Sequence, residues 1–302
     1  MRLGFVLPHL GSVASPDAIR EIAQGAEKLG YDSLWTTERL LYPVDPQTPY
    51  PGTPDGSLPE PFKINFDPIE TLTFVAAHTS RIALGTSVLD MPYYNPVMLA
   101  RRLTTLDVLS GGRLRLGLGL GWSKDEYQAT GAPAKGLGRY ADEFVTVLKE
   151  IWTTDPVEFH GEFFHVPKSS ILPKPVQKPH PPIYLAAYTP AGLKRAATLA
   201  NGWNPAGLPG DAMKQMMEGL KGMAKEAGRE TQVVVRANVS ISEQPMGDER
   251  MIFYGSLDQI KADIATTREL GADELFFDVT FSPDGTSVGG FQKRMEQLKE
   301  LA

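Results

Sequence analysis

The stretch Arg113-Leu-Arg-Leu-Gly-Leu-Gly-Leu-Gly-Trp122 has leucine at every second position, with arginine or glycine between. Because successive side chains of a β-strand point to opposite faces, the alternation predicts a strand with one leucine face and one arginine and glycine face. A glycine row admits close approach by a ligand or by another backbone. The dinucleotide-binding fingerprint fails, because Trp122 stands where its third glycine is required. A tightly packed barrel strand and a cofactor-contacting strand both remain open interpretations.

Helix signals flank this strand on both sides. Asn95-Pro96 predicts the start of a helix that Gly111 ends, and residues 138–152 predict the next helix. The same alternation extends along the chain and predicts strands at 3–7, 31–36, 81–89, 114–120, 182–187, 202–204, 232–241 and 274–279. Alternating strands and helices imply parallel strands with right-handed crossovers. Eight units favour an α/β fold of the closed (β/α)8 TIM type.

Two segments interrupt the alternation. Residues 42–66 are rich in Pro, Gly and Tyr and are too long for an ordinary strand-to-helix loop, so they are a candidate lid after strand 2. Residues 156–181 predict a hairpin followed by an extended connection before strand 5. We expect a single domain over residues 1–302 that carries these two insertions.

Composition limits the classes of function. The net charge of -6 argues against a nucleic-acid partner, since phosphate binding needs a basic surface. Cysteine is absent, which removes disulfides and thiolate chemistry. No targeting or membrane-spanning segment is predicted, so a cytoplasmic protein is expected. His160 and His165 match no zinc pattern, and we expect no metal site.

Barrel enzymes carry their sites on the loops that follow the strands. That rule directs attention to His9, to Thr36-Thr-Glu-Arg39, to Thr86-Ser-Val-Leu-Asp90 and to the glycine-rich strand. After strand 5, Thr189-Pro190 opens a helix whose N-terminus is suited to a phosphate. An ordinary capped helix is the alternative interpretation of that segment.

Taken together, these segments resemble the luciferase-like monooxygenase superfamily over essentially the whole chain. The resemblance is carried by Arg81-Ile-Ala-Leu-Gly-Thr-Ser-Val-Leu89, Tyr94-Asn-Pro-Val-Met-Leu-Ala-Arg101, Thr105-Leu-Asp-Val-Leu-Ser-Gly-Gly-Arg113, Gly117-Leu-Gly-Leu-Gly-Trp122, Phe159-His-Gly-Glu-Phe163, Pro173-Lys-Pro-Val-Gln177, Pro181-Pro-Ile-Tyr184 and Gly202-Trp203. Within the superfamily, the pattern is similar to actinobacterial proteins assigned to the deazaflavin coenzyme F420. The ordered series is specific to the superfamily as a whole.

The resemblance implies where the cofactor lies. It implies a cis peptide at Ser87-Val88 whose bulge backs the isoalloxazine-like ring. The implied cofactor-binding residues are Thr86, Ser87, Val88, Gly119, Gly121, Trp122, Ala186, Ala187, Tyr188 and Thr189. The last four lie on the phosphate side. The implied cofactor is F420, with FMN as the alternative.

The chain departs from the family's F420 dehydrogenases at the end of strand 2. Those enzymes have an Asp-His pair there, whereas this chain has Glu38-Arg39, and arginine is not a general acid or base near neutral pH. The glutamates expected after strands 1 and 4 are not evident. The candidate catalytic residues are therefore Arg39 as an electrostatic stabiliser, Glu38 beside it, and His9 as a proton donor.

Three hypotheses follow for function. The first is an F420-dependent oxidoreductase that moves a hydride between the cofactor and a small organic substrate, with loop 42–66 closing over it. The second is an FMN-dependent monooxygenase that activates oxygen, and a separate reductase would supply the reduced flavin. The third is a non-catalytic flavin- or F420-binding protein. The resemblance further implies a homodimer.

Overall fold

Eight parallel strands form a closed ring in the computed structural model, which describes residues 1–133, 135–208 and 210–302. The strands are β1 (Arg2–Val6), β2 (Ser33–Thr36), β3 (Ala83–Thr86), β4 (Leu114–Gly119), β5 (Ile183–Leu185), β6 (Gly202–Trp203), β7 (Gln232–Asn238) and β8 (Glu274–Asp278). Each strand pairs with its neighbours in sequence order, and β1 pairs with β8 to close the ring. The predicted (β/α)8 barrel is confirmed.

A helix follows each strand on the outside of the ring. The helices are α1 (Pro16–Lys28), α2 (Pro68–His78), α3 (Pro96–Ser110), α4 (Leu137–Thr153), α5 (Pro190–Leu199), α6 (Gly210–Glu226), α7 (Leu257–Glu269) and α8 (Val288–Leu301). Short 3-10 turns lie at Glu60–Lys63, Met91–Tyr93 and Pro283–Thr286, and a further short helix at Lys124–Thr130. A helix at the position of α6 was not predicted from the sequence.

The start and end signals of the helices act as expected. The Asn95 side chain accepts from the first free N–H groups of α3, and Gly111 ends that helix in the left-handed conformation, at φ 70°. Ser256 and Gln259 form the predicted reciprocal capping box at the start of α7. These local interactions fix the ends of the helices, and burial of their apolar faces against the ring supplies most of their stability.

The barrel interior is filled by large side chains. Trp35, Tyr184, Val234 and Phe276 pack together there, and the Trp35 and Phe276 rings stack with centroids 4.7 Å apart. Gly85 makes room for this layer, because an added Cβ would collide with the Trp35 ring. The interior at this level is a packed core, which restricts ligands to the ends of the barrel.

A buried carboxylate closes the N-terminal end of the barrel. Glu274 accepts hydrogen bonds from Ser33 Oγ at 2.5 Å and from Arg2 Nε at 3.1 Å, and it forms a salt bridge with Arg115. Arg115 belongs to the arginine and glycine face of β4. Its charge is thus used in a structural ion pair far from the C-terminal mouth.

Both insertions have defined structure. Loop 42–66 is held at the C-terminal end of the barrel, because Gln47 N donates to the Asp125 carboxylate at 3.0 Å and Phe66 N donates to the His9 carbonyl at 3.0 Å. The predicted hairpin before β5 consists of the antiparallel strands Val157–His160 and His165–Ser169. Two further short segments, Ser240–Ile241 and Tyr254–Gly255, pair after β7.

Candidate active site

A backbone bulge follows β3 at the C-terminal mouth. The peptide Ser87-Val88 is cis, as the resemblance implied. Ser87 Oγ donates to Asn204 Oδ1 at 2.7 Å, and the Ser87 carbonyl accepts from Arg236 Nη1 at 3.3 Å. Asn204 in turn donates to the Val234 carbonyl at 2.7 Å. The bulge is therefore tied across the barrel to β6 and β7.

The glycines of β4 let that strand approach the bulge. A Cβ added to Gly117 would collide with the Thr86 carbonyl oxygen. A Cβ added to Gly119 would lie 2.5 Å from Val88 Cγ2 and 2.6 Å from Asp90 Oδ1. Thr86 Oγ1 donates to the Gly117 carbonyl at 2.9 Å. Close backbone packing thus accounts for Gly117, while Gly119 lies beside the surface that Val88 presents to the mouth.

A pair of carboxyl groups lies beside the bulge. Asp90 N donates to Glu38 Oε2 at 2.7 Å, and the Tyr94 hydroxyl donates to Glu38 Oε1. Burial, together with the negative charge of Asp90, raises the pKa of Glu38 to about 8. Burial also raises the pKa of Asp90 to about 7, although Arg39 opposes that rise. The pair therefore retains a proton near neutral pH.

Arg39 does not provide an unpaired cation. Its guanidinium is bound to Glu126, with Nε 2.7 Å from Oε1, and both side chains are buried. The guanidinium carbon also lies 4.8 Å from the Trp122 ring centroid and 5.5 Å from that of Phe62. Glu126 corrects the expectation that no glutamate follows strand 4. It was missed because it lies in the helix Lys124–Thr130 rather than at the end of the strand.

His9 joins the ends of β1 and β2. Its Nε2 accepts from Thr37 N at 2.9 Å, so Nδ1 carries the proton and donates to the Leu7 carbonyl at 2.8 Å. Burial lowers the pKa of His9, which keeps the ring neutral. The side chain is fully buried. This geometry leaves no ring nitrogen for a substrate, in contrast to the predicted proton-donor role.

The segment after β5 combines small residues with a capped helix. Ala186 N donates to the Leu118 carbonyl at 2.9 Å, which joins this segment to β4. Thr189 Oγ1 accepts from Gly192 N at 3.1 Å at the start of α5. Tyr188 lies between them, and its hydroxyl oxygen accepts from Ala206 N at 3.0 Å. The cap confirms the predicted helix start, and the phosphate role remains a proposal.

Sequence reasoning did not identify the ion pair on the opposite side of the mouth. Arg236 on β7 binds Asp278 on β8 at 2.6 Å, and Asp278 is almost fully buried. Val234, Arg236 and Asn238 occupy alternating positions of β7, and Val234 belongs to the inward layer. That alternation within the predicted strand 232–241 was the available signal.

Aromatic side chains cover the mouth. Tyr50 and Phe62 of loop 42–66 are in ring contact with each other at 5.3 Å. Tyr50 also contacts Trp122, with ring centroids 5.3 Å apart, and Phe62 contacts Phe281 after β8, with centroids 5.4 Å apart. We call these four residues the aromatic cover. It joins the insertion to the loops that follow β4 and β8.

Other possible sites receive no support. Within residues 1–133, 135–208 and 210–302, no group of three His, Asp or Glu side chains is placed to hold a metal. His160 and His165 contact each other on the exposed hairpin, with ring centroids 4.2 Å apart. No helix in these same ranges is long and apolar enough to cross a membrane.

Fold and site together define a class of protein. A closed parallel barrel with buried charged pairs, a backbone bulge and an aromatic cover at its C-terminal mouth is a ligand-binding barrel of the enzyme type. Residues 1–246 match the family model for luciferase-like monooxygenase. The chain belongs to the luciferase-like monooxygenase family.

Three similar proteins illustrate the range of relatives. The chain is 33% identical over 211 residues to the uncharacterized protein Rv0940c of Mycobacterium tuberculosis, covering 69% of this chain and 72% of that protein. It is 28% identical over 227 residues to the oxygenase component of the flavin-dependent trigonelline monooxygenase of Acinetobacter baylyi, covering 74% and 57%. The coenzyme F420-dependent tetrahydromethanopterin reductase of Methanopyrus kandleri has a similar structure, with TM-score 0.78, 19% identity and coverage of 100% and 98%.

Proposed function

We propose that the protein is an F420-dependent oxidoreductase that transfers a hydride between the cofactor and a small organic substrate. The observation that carries the proposal is the Ser87-Val88 bulge, held by Asn204 and Arg236 and packed against the Gly119 backbone. These contacts hold the bulge at the mouth. A coenzyme F420-dependent reductase has the same fold, so a barrel of this kind can hold the proposed cofactor.

The residues at the mouth fit a flavin-type cofactor. Val88 would back the ring, and Ala186 and Ala187 leave space for the chain that leads to the phosphate. Thr189 at the start of α5 would lie beside the phosphate, where a helix N-terminus favours negative charge. When bound, the cofactor supplies the hydride chemistry, and the protein orients it and excludes water.

The Glu38–Asp90 pair would hold the proton that accompanies the hydride. A carboxyl group with its pKa near the working pH is both a competent donor and a competent acceptor. Glu38 is partly buried and bound to Asp90 N and to the Tyr94 hydroxyl, so its proton is kept beside the bulge. We assign Glu38 the acid and base role and remove His9 from it.

Arg39 would act mainly by positioning. Because Glu126 neutralises its charge, the pair adds little net field at the mouth, but it ties the end of β2 to the loop after β4. Trp122 and Phe62 both lie close to the Arg39 guanidinium. Loop 42–66 is thereby attached to a rigid base, with Tyr50 and Phe62 excluding water from the substrate.

The second candidate is an FMN-dependent monooxygenase. It is favoured by the flavin-dependent trigonelline monooxygenase, whose description as an oxygenase component implies a separate reductase for that protein. The same bulge and phosphate-side segment would accept FMN, because FMN and F420 share the ring, the side chain and the phosphate that would lie there.

With either cofactor, exposed Met98 and Leu109 on α3 offer an apolar surface for the homodimer that the resemblance implies.

Titration of the apoprotein with F420 and, separately, with FMN tests the cofactor assignment. Micromolar or tighter binding of F420, with FMN at least tenfold weaker, is the expected result. Reduced F420 should then be oxidised anaerobically by at least one member of a panel of small organic substrates. FMN preference with oxygen consumption would replace the proposal by the monooxygenase, and F420 binding without turnover across a substrate panel would support the non-catalytic binding protein.

A further inference from the structure

Buried polar atoms that lack a hydrogen-bond partner gather at the ends of β7 and β8. Arg236 Nε, Asn238 Oδ1 and Thr280 Oγ1 are all buried there, and none has a partner in the described part of the chain. Buried polar groups in folded proteins are nearly always paired. Three unpaired atoms on neighbouring strands therefore mark a place where a molecule outside the chain, either ordered water or a ligand, completes their hydrogen bonds. We call these three atoms the β7–β8 patch.

The patch lies inside the barrel at its C-terminal end. Val234 belongs to the buried inward layer, and strand alternation places Arg236 and Asn238 in the same row. Asn238 pairs in register with Asp278, and Thr280 N donates to Asp278 Oδ1 at 2.9 Å just beyond the strand. The patch is thus across the mouth from the Glu38–Asp90 pair and from the surface that Val88 offers to the cofactor ring.

The patch offers hydrogen bonds without a net charge. Asp278 compensates the Arg236 guanidinium through the 2.6 Å ion pair, and Ser87 O accepts from Nη1 at 3.3 Å. The buried Nε–H of Arg236 has no partner among the described residues. Asn238 Oδ1 is an acceptor, and the Thr280 hydroxyl can either accept or donate. The complementary ligand group must therefore contain both an acceptor and a donor and be uncharged.

We infer that the β7–β8 patch binds the polar end of the substrate, and that this end is a neutral carboxamide-like group. The inference rests on the proposed function for placing a substrate at the mouth. A carboxamide oxygen accepts from Arg236 Nε while its NH2 donates to Asn238 Oδ1 and Thr280 Oγ1. A carboxylate lacks the donor, and an amidinium lacks the acceptor. Phe281, whose ring centroid is 5.9 Å from the Arg236 guanidinium carbon, suits an attached apolar ring.

Three probes of nearly equal shape test this assignment. Benzamide, benzoate and benzamidine are titrated calorimetrically into protein loaded with oxidised F420. Benzamide is expected to bind at least tenfold more tightly than either charged probe, since each of those leaves a buried polar atom unpaired. Equal affinities, tighter binding of benzoate, or no binding of benzamide would overturn the inference.

Variants locate the binding. Thr280→Val should weaken benzamide binding about 3- to 10-fold, the usual value of one hydrogen bond. Thr231→Val is the matched control, because Thr231 Oγ1 is also buried and unpaired among the described residues but precedes β7, at the other end of the barrel. Asn238→Asp should shift preference toward benzamidine, which a purely structural role would not do. Equal loss in both threonine variants would contradict the assignment.

The two proposals fail separately. If F420 binds but the three probes do not differ in affinity, the assignment of the β7–β8 patch as a substrate site is wrong and the cofactor proposal stands. If F420 does not bind, the cofactor proposal fails. The probe titrations are then repeated on the unloaded protein. Tighter binding of benzamide than of the charged probes would support the patch as a substrate site, and equal affinities would refute it.

Discussion

Replacement of Glu126 by Gln is expected to be among the most destabilising single changes at the mouth. Glu126 is fully buried and accepts from Arg39 Nε at 2.7 Å, Leu40 N at 2.7 Å, Leu41 N at 3.0 Å and the Tyr93 hydroxyl at 2.7 Å. Glutamine removes the negative charge and directs an N–H2 group at these donors. The Arg39 guanidinium is then left buried without a counter-ion.

The size of the effect follows from that unpaired charge. Breaking a buried ion pair by removing one partner costs about 3–5 kcal/mol. For a chain of 302 residues, the entropy of unfolding converts this cost to a fall of about 5–8 °C in Tm. The double variant Arg39→Met/Glu126→Gln carries no unpaired charge. It should therefore be more stable than Glu126→Gln alone by about 1–3 kcal/mol.

Thermal unfolding of the wild type, both single variants and the double variant provides the test. Scans at several heating rates establish whether the unfolding midpoints depend on scan rate, and therefore whether those of the variants can be compared directly. The matched control is Glu162→Gln, which breaks an exposed pair with Arg139 at 3.0 Å and should change stability by less than about 1 kcal/mol. A Glu126→Gln effect as small as the control, or additive effects in the double variant, would refute the account of this pair.

Three other expectations concern neighbouring residues. His9→Phe leaves two backbone groups unpaired and should lower stability by about 2–4 kcal/mol, while the pH dependence of turnover in the folded protein stays unchanged; a lost titration limb would restore its catalytic role. Gly119→Ala should weaken cofactor binding by displacing Val88 while unfolding shifts by only about 1–3 kcal/mol, and unchanged affinity would argue against the bulge as the ring surface. The raised pKa values of Glu38 and Asp90 mean that the folded protein holds more protons than the unfolded one between about pH 5 and 8, so these groups lower stability as pH rises through that window. Glu38→Gln should flatten this slope in Tm measured against pH, and an unaltered slope would refute the assignment.

Much of the fold was readable because its signals are local. The caps at Asn95 and Ser256 act within one turn of helix, so the sequence alone identifies them. Helix α6 was not predicted. The short strand β6 was predicted only from Gly202-Trp203, and its place depends on pairing with β5 and β7. Closure of the ring is likewise a long-range property, inferred from the number of units.

In the candidate site, too, local features were predictable from the sequence and contacts between distant residues were not. The cis peptide Ser87-Val88 was predicted from the family resemblance, because its motif is contiguous. Glu126 lies far in sequence from Arg39, and only the packing of two loops brings them together. The role of the glycine row was open for the same reason, because the Thr86 backbone and the Val88 and Asp90 side chains that it contacts belong to another part of the chain. Most of the site's chemistry depends on contacts between loops that belong to different strand–helix units of the barrel.

Cofactor titration decides whether the barrel mouth is a flavin-type site. Purified apoprotein is mixed with F420 and with FMN in parallel, and cofactor fluorescence gives both dissociation constants, with Gly119→Ala as the variant control. We expect micromolar or tighter binding of F420, at least tenfold weaker binding of FMN, and a clear loss of F420 affinity in the variant. If neither F420 nor FMN binds, the assignment of the mouth as a flavin-type site is contradicted.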